Sequence, residues 1–352
     1  MKRLLGAAVP LAAALAAFLL GAIMIGSLGE NPIEGLRAMI DGAFGTGDRI
    51  AATAVRATPL LLVGAGITIA FRASVINIGG EGQIIAGALL STAVALAIPD
   101  TPRIILIPLV VLAGMVGGGI WGAIPGALKA YASVNEILST IMLNIVAVQL
   151  MNYLLRGPMI DPIEKEGTRI PQTERLTDNA AFPTLISGTR LHLGVVIAIL
   201  AAVAVYILLW RTPLGFRLRA VGHNPDAARA AGISVEKNIV AALGLSGALS
   251  GLAGVTLVFG SESLRMVTDG GSAGFTGSAG FNGIVAALFG ALHPLWTIPS
   301  SFLFGGLLTG ATQLQRVLQI PNALAVALNG IIVLFVVSSD KLRSKLKEVA
   351  TS

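Results

Sequence analysis

The residues of this sequence that could bind a ligand are polar residues spaced as on one face of a helix. The stretch "SVNEILSTIMLN" at 133–144 places Glu136, Thr140 and Asn144 four residues apart, so a helix would carry them on one face. A carboxylate, a hydroxyl and an amide in one row can hydrogen-bond the hydroxyl groups of a small solute. The alternative is that these groups hydrogen-bond neighbouring helices and hold a bundle together.

A second polar stretch, "FRASVINIGGEGQIIAG" at 71–87, interrupts two apolar runs. Its glycines weaken a regular helix and leave backbone donors and acceptors free. We expect a broken segment beside a solute path, with Asn77, Glu81 and Gln83 facing one cavity; the alternative is an ordinary loop between two helices. The candidate path residues are Asn77, Glu81, Gln83, Asn135, Glu136, Thr140, Asn144 and Asn282.

Motifs for enzyme chemistry are missing from the sequence. It holds no G-x-x-x-x-G-K-[ST] loop for phosphates, and "GGGIWG" at 117–122 matches a nucleotide motif only formally, inside an apolar run. His192, His223 and His293 are scattered, and there is no cysteine. We therefore expect no catalytic residue, no metal and no cofactor in this chain.

The composition requires a membrane around the elements that position these residues. The chain has 352 residues, of which 55% are hydrophobic and 12% charged, with a mean hydropathy of +0.84. Soluble domains carry about 25% charged residues, and one core of this size cannot hide so much apolar surface. The net charge of +6 then indicates basic cytoplasmic loops rather than nucleic-acid binding.

The expected fold is all-α, a polytopic transmembrane helical bundle of about ten spans with both termini cytoplasmic. The start, "MKRLLGAAVPLAAALAAFLLGAIMIG", is expected to be an uncleaved span, since its apolar run exceeds that of a typical signal peptide, which is the alternative. The short span near 280–292 is expected to be re-entrant or broken. The spans are expected at about 4–26, 51–71, 82–98, 104–126, 137–155, 192–210, 239–260, 280–292, 299–315 and 322–338.

Basic segments orient these spans. "MKR" at the start, residues 211–237 and "DKLRSKLK" at 340–347 all fall on one side, which the positive-inside rule makes cytoplasmic. The mixed loop 156–191 then lies outside, where its charges could help to dock another protein; the alternative is a solvated loop.

Glycines repeat every four residues in one predicted span, which places them on one helix face. Such a ladder lets another backbone approach closely. Its members are Gly114, Gly118, Gly122 and Gly126.

The longest inner loop, "RTPLGFRLRAVGHNPDAARAAGIS" at 211–234, predicts a short capped helix. Asn224 suits the N-cap, Pro225 the first helical position and Asp226 the positive helix end, and Gly232 can stop the helix. A short, smooth helix on a basic loop can dock into a partner's groove; the alternative is a solvated loop with one helical turn.

Four stretches of the sequence resemble one family. "TPLGFRLRAVGHNPDAARAAGI" is similar to the cytoplasmic coupling segment of ABC-transporter permeases of the branched-chain amino acid, simple sugar and nucleoside uptake group. "FRASVINIGGEGQIIAGA" resembles the stretch that follows the second span in the sugar and nucleoside branch of that group, and "ASVNEILSTIMLNIVA" and "GFNGIVAALFGALHPLW" are similar to segments after that stretch. The four stretches keep the order of the family. The resemblance covers about 50 to 338 and is nearest to permeases that work with basic-membrane-lipoprotein-type nucleoside-binding proteins.

The resemblance implies an importer subunit in the bacterial inner membrane that carries a nucleoside or simple sugar. A separate ABC ATPase, a second homologous permease and an external solute-binding lipoprotein would be its partners. It implies a transmembrane permease domain at 1–338, with coupling segment 211–237 and external loop 156–191, and a cytoplasmic basic tail at 339–352. The implied ATPase-coupling residues are Pro213, Gly215, Arg217, Gly222, Asn224, Pro225, Ala228, Arg229 and Gly232.

Two rival interpretations remain open from the sequence. An ion-coupled secondary transporter would need no ATPase, and a membrane-embedded enzyme would turn over a lipid.

Overall fold

The computed structural model describes residues 19–20, 22–23, 25–27, 29–319 and 330. Within these residues the regular elements are α-helices, accompanied by isolated β-bridges that pair Gln172 with Val267 and Thr184 with His192. Most of the predicted spans at about 4–26 and 322–338, and all of the predicted tail at 339–352, lie outside the described residues.

The helices follow the chain with few long gaps. They are α1 Pro32–Phe44, α2 Gly47–Arg72, α3 Gly80–Ala97, α4 Arg103–Ala132, α5 Glu136–Arg156, α6 Pro162–Glu166, α7 Leu193–Arg211, α8 Pro213–His223, α9 Pro225–Ala230, α10 Val235–Phe259, α11 Ser272–Thr276, α12 Ala279–Phe289 and α13 Pro294–Leu318.

Six of the described helices are long and apolar enough to cross a membrane: α2, α3, α4, α5, α7 and α10. They coincide with six of the predicted spans. The expected short segment near 280–292 is α12, whose 11 residues give a length of about 16 Å and cannot cross a core of about 30 Å. Helix α13 contains the predicted span at 299–315 and extends it at both ends.

Helix α1 was not predicted from the sequence. Its start carries the usual signals, because the Asn31 side chain accepts a hydrogen bond from the Ile33 N–H and Pro32 occupies the first helical position. With 13 residues it is too short for a membrane span, so the apolar runs of the sequence do not predict it.

The chain forms two compact units, and the first comprises 1–57, 188–190 and 302–352. In this unit α1 packs on the C-terminal part of α13. The rings of Phe44 and Phe302 lie 6.0 Å apart, and a Cβ built on Gly310 would lie within 3.2 Å of the Met39 backbone.

The second unit comprises 58–187 and 191–301, and α3, α4 and α10 form its centre. Helix α4 presents its glycine ladder to α10. A Cβ built on Gly118 would lie 2.6 Å from the Cα of Gly251, so the two backbones approach more closely than any side chain would allow. Gly114 and Gly122 lie against α10 in the same way, and Gly126 lies against Val240.

Candidate functional site

The helical path is interrupted between α2 and α3, where residues 73–79 are not helical. Asn77 is fully buried at this break. Its Nδ2 donates to Gln83 Oε1 at 3.0 Å and to Ser246 Oγ on α10 at 2.8 Å. In return Gln83 Nε2 donates to Asn77 Oδ1 at 3.1 Å. The two amides therefore form a closed pair that ties the break to α10.

Asn144 of α5 holds the break from the other side. Its Oδ1 accepts the Gly82 N–H at 2.8 Å, and its Nδ2 donates to the Ile78 carbonyl at 2.9 Å. Both backbone groups sit where the helical pattern fails, and a buried backbone group without a partner is costly. Asn144 supplies the hydrogen bonds that the missing helical turn would have supplied.

Glu81 is also buried and lies four residues after Asn77, but its hydrogen bonds are to residues 276–281. Its Oε1 accepts the backbone N–H groups of Gly280 at 2.8 Å and Phe281 at 3.3 Å, and its other oxygen accepts the Thr276 hydroxyl. The carboxylate thus caps the N-terminus of α12, where negative charge is favoured. The structure brings Asn77 and Gln83 together, but it does not place Glu81 with them around one cavity.

The predicted polar row on α5 is divided among local contacts. Glu136 forms an ion pair with Lys129, and Thr140 Oγ1 donates to the Glu136 carbonyl at 2.7 Å. Asn135 is the N-cap of α5, accepting from the Ile137 N–H at 2.9 Å. Asn282 lies half-buried on α12. Three members of this row meet the break: Asn144 through its two hydrogen bonds, Thr140 by lying against Gly79, and Glu136 through the backbone N–H of Ile76.

The capped helix predicted within 211–234 is confirmed as α9. Asn224 Oδ1 accepts from the N–H groups of Asp226 and Ala227 at 3.0 Å each, and Pro225 occupies the first helical position. Gly232 follows with φ +78°, a left-handed conformation that suits glycine. Ala228 is buried against Val221 and Val235.

The face of α9 opposite Ala228 is exposed to solvent in this chain. Arg229 is exposed and pairs with Asp226 at 3.5 Å and with Glu236 at 3.0 Å. The rest of the predicted coupling set lies on α8 or follows α9. Pro213 starts α8, Gly215 packs on α7 against Leu209, and Arg217 is exposed.

Gly222 joins this segment to the break, a contact that the sequence did not reveal. The Ser74 hydroxyl donates to the Gly222 carbonyl at 2.6 Å, and a Cβ built on Gly222 would lie 2.9 Å from the backbone of Ala73. Residues 73 and 74 open the non-helical stretch that Asn77 and Asn144 hold further along. A displacement of α8 and α9 would therefore act directly on the break.

Other partners missed by sequence analysis come from far along the chain. Ser246 lies 169 residues from Asn77, and Thr276 lies 195 residues from Glu81. The two serines of an apolar, glycine-rich run, Ser246 and Ser250, were the one available signal for the first. Thr276 sits in a stretch of small residues that gave no signal.

Within the second unit, the 161–176 part of the loop is ordered by contacts with 261–268. Asp161 caps α6 and accepts from Arg265 Nη1 at 2.8 Å, while the backbone N–H of Thr173 donates to the Met266 carbonyl at 3.0 Å. The loop is therefore a folded surface, and its expected docking role stays a prediction.

These observations define the class of protein: a multi-pass α-helical membrane protein with a capped, exposed helix on a basic loop. The family model described as "Branched-chain amino acid transport system / permease component" matches residues 49–337. The chain belongs to this family and is a transport component of an ABC system, a permease of the cell inner membrane rather than an enzyme.

Curated relatives agree over nearly the whole chain. It is 36% identical to the guanosine ABC transporter permease protein NupP of Bacillus subtilis, covering 99% of both chains. It is 37% identical to the nucleoside ABC transporter permease protein NupB of Lactococcus lactis, covering 86% of this chain and 83% of the relative. A glucose ABC transporter permease protein of Haloferax volcanii is 32% identical, covering 94% and 87%. No solved structure gives a significant match.

Proposed function

We propose that this permease carries nucleosides into the cell, driven by a separate ABC ATPase. The observation that carries the proposal is the similarity along the full length to a guanosine permease, at 36% identity over 99% of both chains. A second homologous permease would complete the path, and an external solute-binding lipoprotein would deliver the nucleoside. The chain itself would need no metal or cofactor.

The proposed topology has about ten spans with both termini in the cytoplasm, in which α12 crosses only together with the preceding α11 as one broken span. The permease domain would run over 1–338, with 211–237 inside and 156–191 outside, followed by a cytoplasmic basic tail at 339–352. The exposed face of α9 supports an inner partner surface, since its cap and its buried Ala228 fix the helix while leaving Arg229 accessible.

The proposed mechanism moves α9 when the ATPase pair closes. Ser74 and Gly222 join the α8–α9 segment to the break, so the movement would be transmitted to residues 73–79. The amides of Asn77, Gln83 and Asn144 can exchange their present partners for the hydroxyls or base edges of a nucleoside, because amides both donate and accept. Exchange of these partners would couple opening of the path to solute passage.

A simple sugar is the second candidate solute, favoured by the 32% identity with the glucose permease protein. Family membership favours the ABC mechanism over an ion-coupled transporter.

The test begins with a pull-down of the full chain from mild detergent, followed by reconstitution of the co-purifying complex in liposomes. Uptake of labelled guanosine is expected to require ATP and to be competed by other nucleosides but not by glucose. A complex whose ATPase partner is inactivated in its phosphate loop is the control. Glucose uptake would select the second candidate. Uptake by this chain alone under an ion gradient would refute the proposal.

A further inference from the structure

A cavity of about 460 Å³ lies within the first unit, at the start of α2. Its walls come from three separated parts of the chain: the residues around 42–56, the short segment 188–190 and the end of α13 at 309–316. In the predicted topology all three parts lie at the outer end of the bundle. The volume falls in the range of small-molecule sites in proteins, about 300–1,000 Å³.

The cavity is strongly basic. Among the described residues that line it, Arg49, Arg56, Arg190 and Arg316 are cationic and Asp48 carries the one carboxylate; Arg190 makes a further interaction with the protein. Like charges gathered at the edge of a membrane raise the free energy of the fold unless something offsets them.

Two of these arginines are held in place while keeping donors to spare. Arg56 Nη1 donates to the Leu308 carbonyl at 2.8 Å and to Thr312 Oγ1 at 2.9 Å, and Arg49 Nη1 donates to the Asp41 carbonyl at 2.8 Å. A guanidinium carries five N–H donors in a fixed fork. Anchoring through one nitrogen orients the fork and leaves the other nitrogens of Arg49 and Arg56 without a hydrogen-bond partner among the described residues.

The proposed transport function does not account for this cluster. A nucleoside carries no charge at neutral pH, so its passage needs no set of arginines. The positive-inside rule also disfavours arginines on the outer side. The four arginines, with two of them anchored and space between them, suit an oxyanion that carries two negative charges or bridges two side chains. Arginine forks bind such an anion with two parallel hydrogen bonds.

We propose that this cavity is a binding site for a phosphate group. Arg56 and Arg316 would contact it from α2 and α13, while Thr312 holds the Arg56 guanidinium in place. The phosphate would belong either to the headgroup of an anionic phospholipid or to free inorganic phosphate. In both cases the bound anion would neutralise the cluster and hold α2 and α13 together.

The test uses the full chain in nanodiscs and follows its thermal unfolding midpoint. One arm adds inorganic phosphate to phosphatidylcholine discs, with chloride at equal ionic strength as reference. The other arm replaces phosphatidylcholine with phosphatidylglycerol in chloride alone. At about ten times the dissociation constant, binding is expected to raise the midpoint by about 2–4 °C. A rise in the first arm identifies the free anion, and a rise in the second identifies the headgroup.

Variants locate the effect in the cavity. Arg316→Gln changes an exposed side chain and should fold, and we expect it to lower the affinity for the stabilising anion at least about threefold. The double variant Arg56→Gln with Arg316→Gln should lower this affinity about tenfold or more. The matched control is Arg37→Gln, an exposed arginine of the same unit outside the cavity. Protection by neither anion, undiminished affinity in both variants, or an equal loss in the control would overturn the proposal.

Discussion

Glu81 on α3 accepts the backbone N–H of Gly280 on α12 at 2.8 Å, across 199 residues of sequence. A buried carboxylate on one helix thus supplies the cap of another helix that is too short to cross a membrane. The first turn of α12 has no capping side chain of its own, because Ser278 makes no such bond. The position of α12 against α3 therefore depends on Glu81.

Replacing Glu81 with alanine is expected to destabilise the protein strongly. The change leaves the backbone N–H groups of Gly280 and Phe281 without their acceptor, whereas the Thr276 hydroxyl keeps the Ser272 carbonyl, and each buried donor without a partner costs about 1–3 kcal/mol. We expect the free energy of unfolding to fall by about 3 kcal/mol or more. Thermal unfolding in detergent, followed by circular dichroism, measures it.

Two variants control this experiment. Glu81→Gln keeps one oxygen that can accept from α12 and should lose less. Glu174→Ala removes an exposed carboxylate and should stay within about 0.5 kcal/mol of the wild type. If Glu81→Ala and Glu174→Ala unfold alike, the cap makes no contribution.

Neighbouring glycines of α4 should differ sharply in their tolerance of alanine. A Cβ at Gly118 would lie 2.6 Å from Gly251 Cα, whereas at Gly119 the nearest atom would be 3.4 Å away. Overpacking of this kind costs about 1–3 kcal/mol. We expect Gly118→Ala to lower both the yield of folded protein and its unfolding midpoint, and Gly119→Ala to match the wild type. Equal behaviour of the two variants would mean that α4 and α10 are not packed this closely.

Features of the sequence that act locally were predictable. Asn224, Pro225 and Gly232 predicted α9 because cap, first turn and stop are each determined by a few adjacent residues. Long apolar runs predicted the six helices that could cross a membrane, since the bilayer thickness sets their length.

The partners of the polar residues were not predictable. Asn77 and Glu81 are four residues apart, yet one bonds to α10 and the other to α12. Which neighbour each side chain meets depends on how α3, α10 and α12 pack, and spacing within one stretch carries no information about that. The sequence identified the polar residues at the break but not their division into two networks.

Gly232→Val should separate ATP hydrolysis from transport. Gly232 has φ +78° with no atom within 4 Å of a built Cβ, so valine would strain the backbone without a steric clash. The strain would displace the end of α9 and leave the bundle intact. In the reconstituted complex we expect normal insertion, continued ATP hydrolysis and a loss of uptake by about tenfold.

Gly232→Asn is the matched control, because asparagine tolerates the left-handed region better than other side chains. It should retain most of the uptake. Unchanged uptake per ATP in the valine variant would show that the end of α9 has no coupling role.

The last prediction concerns His192, which precedes the membrane-spanning helix α7 and caps it. Its Nδ1 accepts the Gly194 N–H at 3.1 Å, which requires an unprotonated nitrogen, and burial lowers the pKa of His192 to about 4 from 6.5. His192 is therefore protonated near pH 6.5 in the unfolded chain but only near pH 4 in the folded protein. The free energy of unfolding should decrease as pH falls through this window, by about 2 kcal/mol between pH 7 and 5.

His192→Asn isolates this contribution, since asparagine can also cap α7 but does not titrate. Its unfolding midpoint should fall less than that of the wild type between pH 7 and 5. The exposed His223→Asn is the control and should follow the wild type. Identical pH profiles for the wild type and His192→Asn would mean that His192 takes up its proton equally in the folded and unfolded states, and that its burial does not govern acid stability.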